Sequence, residues 1–144
     1  MVQLEVAEKL LATPEDPEYG APSIQVGLKA AGRILRRFGP QVFWPQPKVR
    51  SALLHLRPHS PPPLAPAEHE PFATFVTALF SRRRKMLSSS LPHLVAEVTP
   101  ERLAEVLGAL GVAPVQRPQE LAPERMLALW RALGSPSLAA GPSD

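Results

Sequence analysis

Proline restricts this chain more than any other residue. It fills 19 of 144 positions, unevenly. Each proline fixes φ and removes a backbone donor, so helix interiors and central strands must lie between them. The densest run goes from Pro58 to Pro71, with Pro61, Pro62, Pro63 and Pro66 inside it. It can form neither helix nor central strand, so it reads as a linker between two regions.

Upstream of it, Val2, Val6 and Leu10 recur every four residues with Leu11 beside them, and Glu5 can pair with Lys9 one turn on. The spacing predicts an amphipathic helix over Val2 to Leu11, ended by Thr13-Pro14. A turn-rich loop from Pro14 to Gly20 leads to a short helix, Pro22 to Ala31. Arg33 to Phe38 reads as a strand, broken by Gly39-Pro40, and Val49 to Leu56 as a second. Apolar residues fall on both faces of the second strand, which predicts burial on both sides. Two strands and two helices make a weak core, and unpaired apolar edges invite association. A missing partner in sequence, upstream of Met1, is therefore expected.

Downstream, Phe72, Phe75, Val76, Leu79 and Phe80 form a stripe at helical spacing. Met86, Leu87 and Leu91 fall on a second helix that Pro92 should end. Thr99 is a suitable N-cap, with Pro100 in the first turn, Leu103, Val106, Leu107 and Leu110 on the inner face, and Gly111 as the stop. A last helix starts near Pro123, carries Met126, Leu127, Leu129, Trp130 and Leu133, and stops at Gly134. Ser135 to Asp144 is small and polar, and is expected to be a disordered tail.

The absence of cysteine excludes disulfides, thiolate catalysis and Cys-based zinc sites. The four histidines show no metal-ligand spacing, so no metal is expected. No apolar run reaches membrane-spanning length, and no signal peptide is seen, so the expected compartment is the cytoplasm, without a membrane partner. A net charge of +3 suits nucleic acid without selecting it.

Two features can carry chemistry. In Phe43-Trp44-Pro45-Gln46-Pro47-Lys48, two prolines stiffen a backbone that presents aromatic rings beside a lysine, an arrangement suited to a flat ligand next to a phosphate. Stacking a base on such a ring is worth about 1–3 kcal/mol. The same aromatics could equally fill a core where a strand begins. Arg82, Arg83, Arg84 and Lys85 form a cationic run between two helices. Against phosphates it would give a log–log salt slope of about −3 to −4; otherwise it is a solvated face.

Several stretches, in order, resemble the bacterial small-subunit rRNA adenine dimethyltransferases, whose relatives include the eukaryotic dimethyladenosine transferases and the erythromycin-resistance rRNA methylases. Met1-Val2-Gln3-Leu4-Glu5-Val6-Ala7-Glu8 resembles M-V-Q-K-E-V-A-E, and Tyr19-Gly20-Ala21-Pro22-Ser23-Ile24 resembles Y-G-R-L-S-V. Phe43 to Ala52 resembles F-x-P-P-P-K-V-D-S-A, and Phe80 to Leu87 resembles F-x-x-R-R-K-T-L. Arg117-Pro118-Gln119-Glu120-Leu121 resembles R-A-E-E-L. The likeness runs from Met1 to about Leu133. Leu4, Ala21, Gln46 and Arg50 depart from it, replacing a lysine, an arginine, a proline and an aspartate, and Ser89 and Ser90 stand where asparagines are frequent.

The resemblance implies transfer of methyl groups from S-adenosylmethionine to N6 of adjacent adenines in 16S rRNA, with the small ribosomal subunit as partner and the protein a monomer. It implies an α/β fragment followed by a small all-α domain. The fragment would be the end of a Rossmann-like methyltransferase sheet, with two helices and a two-strand antiparallel pair. Residues 1–57 would belong to the methyltransferase domain, 58–71 to the Pro-rich linker, 72–134 to a helical rRNA-binding domain and 135–144 to the tail.

Phe43 would stack on the flipped adenine, opposite a tyrosine that the family supplies from an N-L-P-Y segment, while Trp44 packs. Lys48 would meet a phosphate or hold the loop, and Arg82, Arg83, Arg84 and Lys85 would bind rRNA. No G-x-G loop, ribose-binding acid or N-L-P-Y is present, and Met1 matches an internal methionine of the family. The expectation is a truncated chain without the cofactor site, inactive alone. The alternatives are a non-catalytic rRNA-binding or ribosome-assembly module, and an unrelated helical DNA-binding protein.

Overall fold

In the computed structural model, which describes residues 1–138, the first of two units, Met1–Pro63, is built on a central strand. Strands β1 (Val2–Gln3), β2 (Ala30–Phe38) and β3 (Ser51–Pro58) form an antiparallel sheet in the order β1-β3-β2. Val2 pairs with Ala52 and Gln3 with Ser51, while β2 pairs with β3 from Ala30–Pro58 to Phe38–Ser51. The expected two-strand pair is thus a three-strand sheet. Val2 and Gln3 are drawn into it, and helix α1 (Leu4–Leu10) starts two residues later than its periodicity suggests. The Leu4 N–H donates to the Arg50 carbonyl at 2.9 Å, fixing that junction.

Leu4, Ala7 and Ala52 are buried together, with Val2 and Ile34 packed against them. Helix α2 (Ala21–Lys29) is tied to the end of α1 by Ser23. Its hydroxyl donates to the Lys9 carbonyl at 2.6 Å and accepts from the Gly20 N–H at 3.1 Å. The expected burial of β3 on both faces is corrected: Leu53, His55, Leu56 and Arg57 are exposed. A seven-residue helix spans only about 10 Å, against about 27 Å for an eight-residue strand, so α1 covers one end of one face.

The second unit begins at Leu64. Its described elements are all helical: α3 (His69–Phe80), α4 (Leu87–Leu94), α5 (Pro100–Ala109) and α6 (Pro123–Ala132), with 3₁₀ turns at Pro66–Glu68 and Pro118–Glu120. Proline is tolerated where its missing N–H costs nothing. Pro58 ends β3, Pro66 opens a 3₁₀ turn and Pro71 sits in the first turn of α3, so the Pro58–Pro71 stretch is structured at both ends.

Trp130 of α6 meets Phe72 of α3 edge to face, with ring centroids 5.5 Å apart, and Phe75, Val76, Leu79, Met126 and Leu129 are fully buried. The Trp130 indole N–H donates to the Pro136 carbonyl at 3.1 Å, so the tail expected from Ser135 is anchored at its start. Residues 139–144 of that tail lie outside the described residues. Arg131 grips Glu68 with Nε at 3.1 Å and Nη2 at 2.8 Å. This pair, helped by the Ala65 N–H, holds the Glu68 carboxyl below its ordinary value.

Helices α5 and α6 end on Gly111 and Gly134, both at positive φ, with Val112 and Ser135 N–H groups returning to Leu107 and Trp130. Pro92 does not end α4, as its ring suggested; the helix runs two residues further. The bond to the Ser88 carbonyl is lost, but Val95 N–H closes the last turn on Leu91 at 2.9 Å. Free donors at the start of α4 are taken by the loop after α5, Leu87 N–H by Gln116 and Ser88 N–H by Pro114.

Ser90 is fully buried on α4 and its hydroxyl has no partner among the described residues. Ser90→Ala should therefore leave stability unchanged or raise it by about 1 kcal/mol, measured by urea denaturation. A loss of comparable size would show that the hydroxyl is bonded.

Candidate nucleic-acid interface

The loop between β2 and β3 starts with a 3₁₀ turn, Pro40–Val42, that delivers Phe43 in extended backbone. Successive side chains of extended backbone point opposite ways. Phe43 turns inward, half-buried, and meets Phe38 edge to face with centroids 6.3 Å apart. Trp44 turns outward and is 96% exposed, which corrects the expectation that it packs. The Trp44–Pro45 peptide is cis. Phe43, Trp44, Pro45 and Pro47, with Val2 and Gln3 of β1, border an open concavity of about 410 Å³, within the size range of ligand pockets, roughly 300–1,000 Å³. Lys48 is exposed, outside that border, and makes no ion pair among the described residues.

The run Arg82 to Lys85 forms the turn joining α3 to α4 in the second unit. Its four cations are not equivalent. Arg83 Nε donates to Gln119 Oε1 at 3.3 Å, which ties the turn to the 3₁₀ segment before α6. Arg82 is half-buried, with Nε unpartnered among the described residues. Arg84 and Lys85 are exposed. Phe43 and Lys48 belong to the first unit and the four cations to the second.

The β2–β3 hairpin carries further cations whose sidedness residue types alone do not reveal. Pairing and alternation place Arg33, Arg36, His55 and Arg57 on the face away from Ala52 and Ile34. The available signal was charge segregation. From Tyr19 to Ala67 there are five arginines, two lysines and no Asp or Glu, whereas residues 68–144 balance eight cations with eight carboxylates.

Solved structures share this fold. A dimethyladenosine transferase from Plasmodium falciparum superposes with a TM-score of 0.77 at 22% identity, covering 94% of this chain and 57% of that one. The 23S rRNA methyltransferase ErmE gives 0.62 at 24% identity, covering 92% and 52%. The fold is thus one found in methyltransferases.

The family model for ribosomal RNA adenine dimethylase matches residues 1–132, and the chain belongs to that family. The ribosomal RNA small subunit methyltransferase A of Rubrobacter xylanophilus is 38% identical over 131 residues, covering 91% of this chain and 47% of the relative. That of Chlamydia trachomatis serovar L2 is 34% identical over 133 residues, covering 92% and 47%. The chain therefore spans about half the length of these curated relatives.

Because Trp44 touches little, Trp44→Ala should change stability by less than about 0.5 kcal/mol. Phe43→Ala, which removes the contact with Phe38, should cost about 1 kcal/mol. Paired urea denaturation curves check both.

Proposed function

We infer that this chain is the rRNA-recognition part of an S-adenosylmethionine-dependent adenine N6,N6-dimethyltransferase acting on 16S rRNA, without the cofactor-binding half. The observation that carries this reading is Phe43. In a chain of this family, a half-buried aromatic beside an open concavity is suited to stack on an adenine taken out of its helix. An adenine N6 lone pair is delocalised into the ring, so the base must be held flat for the amine to attack a methyl group. Phe43 supplies one side of that clamp. Arg84 and Lys85 are free to meet phosphates, Arg83 steadies their turn, and Arg82 and Lys48 complete the cationic set.

The residues present do not fit S-adenosylmethionine. Adenosyl cofactors of this fold class lie at the carboxyl ends of parallel strands, over a glycine-rich turn into a helix. Here every strand pairing among the described residues is antiparallel, and β1 passes into α1 at Gln3-Leu4 with no glycine. In this reading the chain alone neither binds the cofactor nor methylates RNA. The same misfit favours, as a second reading, a non-catalytic rRNA-binding or assembly module. No helix among the described residues is long and apolar enough to cross a membrane.

Titration calorimetry with S-adenosylmethionine should give no binding heat; micromolar affinity would overturn the first point. Replacing Arg84 and Lys85 by Gln should weaken binding to small-subunit rRNA and reduce the salt slope by about 1–2. Unaltered affinity and slope would remove that turn from the interface.

A further inference from the structure

The open face of the β2–β3 hairpin gathers cationic side chains from both strands. Residues directly opposite each other on paired strands share a face, as do alternate residues along one strand. Arg33 is opposite His55, Ala31 opposite Arg57, and Arg36 opposite Leu53. Residues 53, 55 and 57 alternate along β3, so Arg33, Arg36, His55 and Arg57 all share one face.

A register shift between Ile34 and Arg36 produces this. Leu35 is the extra residue of a bulge. Regular alternation would send Arg36 to the α1 side. The bulge returns it to the side of Arg33 and sends Arg37 across instead. There Arg37 borders a concavity together with Glu8, Asp16 and Glu18.

Among the described residues, the open face holds no such counter-charge. Arg33, His55 and Arg57, with Ala31 and Gly32, line a groove of about 350 Å³ with no carboxylate among the described residues that border it. No ion pair involves Arg33, Arg36 or Arg57 among the described residues. Three exposed guanidinium groups with no ion pair among the described residues create a positive potential that an extended polyanion would relieve. The face also leads somewhere. The Arg36 guanidinium lies 5.3 Å from the centroid of Phe38, and Phe38 in turn meets Phe43 at 6.3 Å.

We propose that the open hairpin face is a track for the RNA backbone. Phosphates flanking the base stacked on Phe43 lie across Arg36, Arg33, His55 and Arg57. This rests on the RNA-binding reading above and adds a second contact surface, in the first unit, to the Arg84–Lys85 turn of the second. The occupant is RNA because the face combines guanidinium groups, which suit phosphate oxygens, with continuity to an aromatic ring that suits a base.

The test uses the full chain and a fluorescently labelled single-stranded RNA of about 20 mixed-sequence nucleotides, with affinity measured across a salt series. The variant Arg33→Gln/Arg36→Gln/Arg57→Gln should bind about tenfold more weakly, with a salt slope smaller by about 2. Arg33→Lys/Arg36→Lys/Arg57→Lys should retain most of the affinity, which separates charge loss from misfolding. Arg37→Gln removes one charge from the opposite face and should leave binding unchanged.

If the Gln triple variant keeps wild-type affinity and slope while Arg84→Gln/Lys85→Gln loses both, the track is overturned and the broader reading stands. If Arg37→Gln weakens binding as much as any single open-face substitution, only net charge matters and the track is likewise overturned. A wild-type chain that does not bind the RNA overturns both readings. Unchanged RNA affinity with a changed sedimentation coefficient in the Gln triple variant reassigns the face to a protein contact.

Discussion

The small cluster of Leu4, Ala7 and Ala52 sets the geometry of the first unit. Two of its three side chains are single methyl groups, so the axis of α1 can come close to the sheet where β3 is flanked by β1 and β2. That approach fixes where β1 must pair and which face of the hairpin is shielded. It also aims the loop carrying Phe43 at the β1 side. A larger residue at position 7 or 52 would lift the helix and loosen these relations together, since tightly filled interiors transmit volume changes.

The second unit solves a different problem. Four short helices cannot hold themselves up by propensity; they bury a shared set of apolar side chains, in which Phe72 of α3 meets Trp130 of α6 and Phe75, Leu91 and Leu107 are buried. The cationic turn after α3 depends on this arrangement at one remove. Its position follows from the end of α3, the bond from Arg83 to Gln119, and the capture of the α4 N–H groups by the loop at Pro114 and Gln116. Backbone bonds and the Gln119 amide help to hold the charged turn, and Arg84 and Lys85 make no ion pair among the described residues.

Helices were the most legible part of the sequence. Thr99, Pro100, Gly111, Pro123 and Gly134 each act locally, through a cap, a fixed φ or a left-handed turn, and the elements they punctuate stand where their periodicity puts them. Val2 and Gln3 read as helix from local periodicity because their strand partners, Ala52 and Ser51, lie about 50 residues away in sequence. The two-sided burial expected for β3 failed because α1 is too short to cover the strand. Of the candidate site, the aromatic loop and the basic run are visible as residue types, and the roles proposed for them come from the resemblance alone. The inward turn of Phe43, the outward turn of Trp44 and the unequal standing of Arg82 to Lys85 depend on tertiary neighbours. The sidedness of the β2 cations is not legible in the sequence, because counting alternate residues groups Arg33 with Arg37, whereas the ladder groups Arg33 with Arg36.

That one-residue bulge means that the electrical polarity of the hairpin is not a property of its composition. Deleting Leu35 would restore regular pairing and leave every arginine facing as it does now. Keeping Leu35 but ironing the bulge flat would exchange Arg36 for Arg37, with no change in net charge, and bring a different guanidinium to the carboxylates of the α1 side. A strand of the same nine residues can thus present two surfaces of different sidedness, and a backbone irregularity selects between them. Insertions and deletions at this point in related chains would be silent or inverting according to whether the bulge absorbs them.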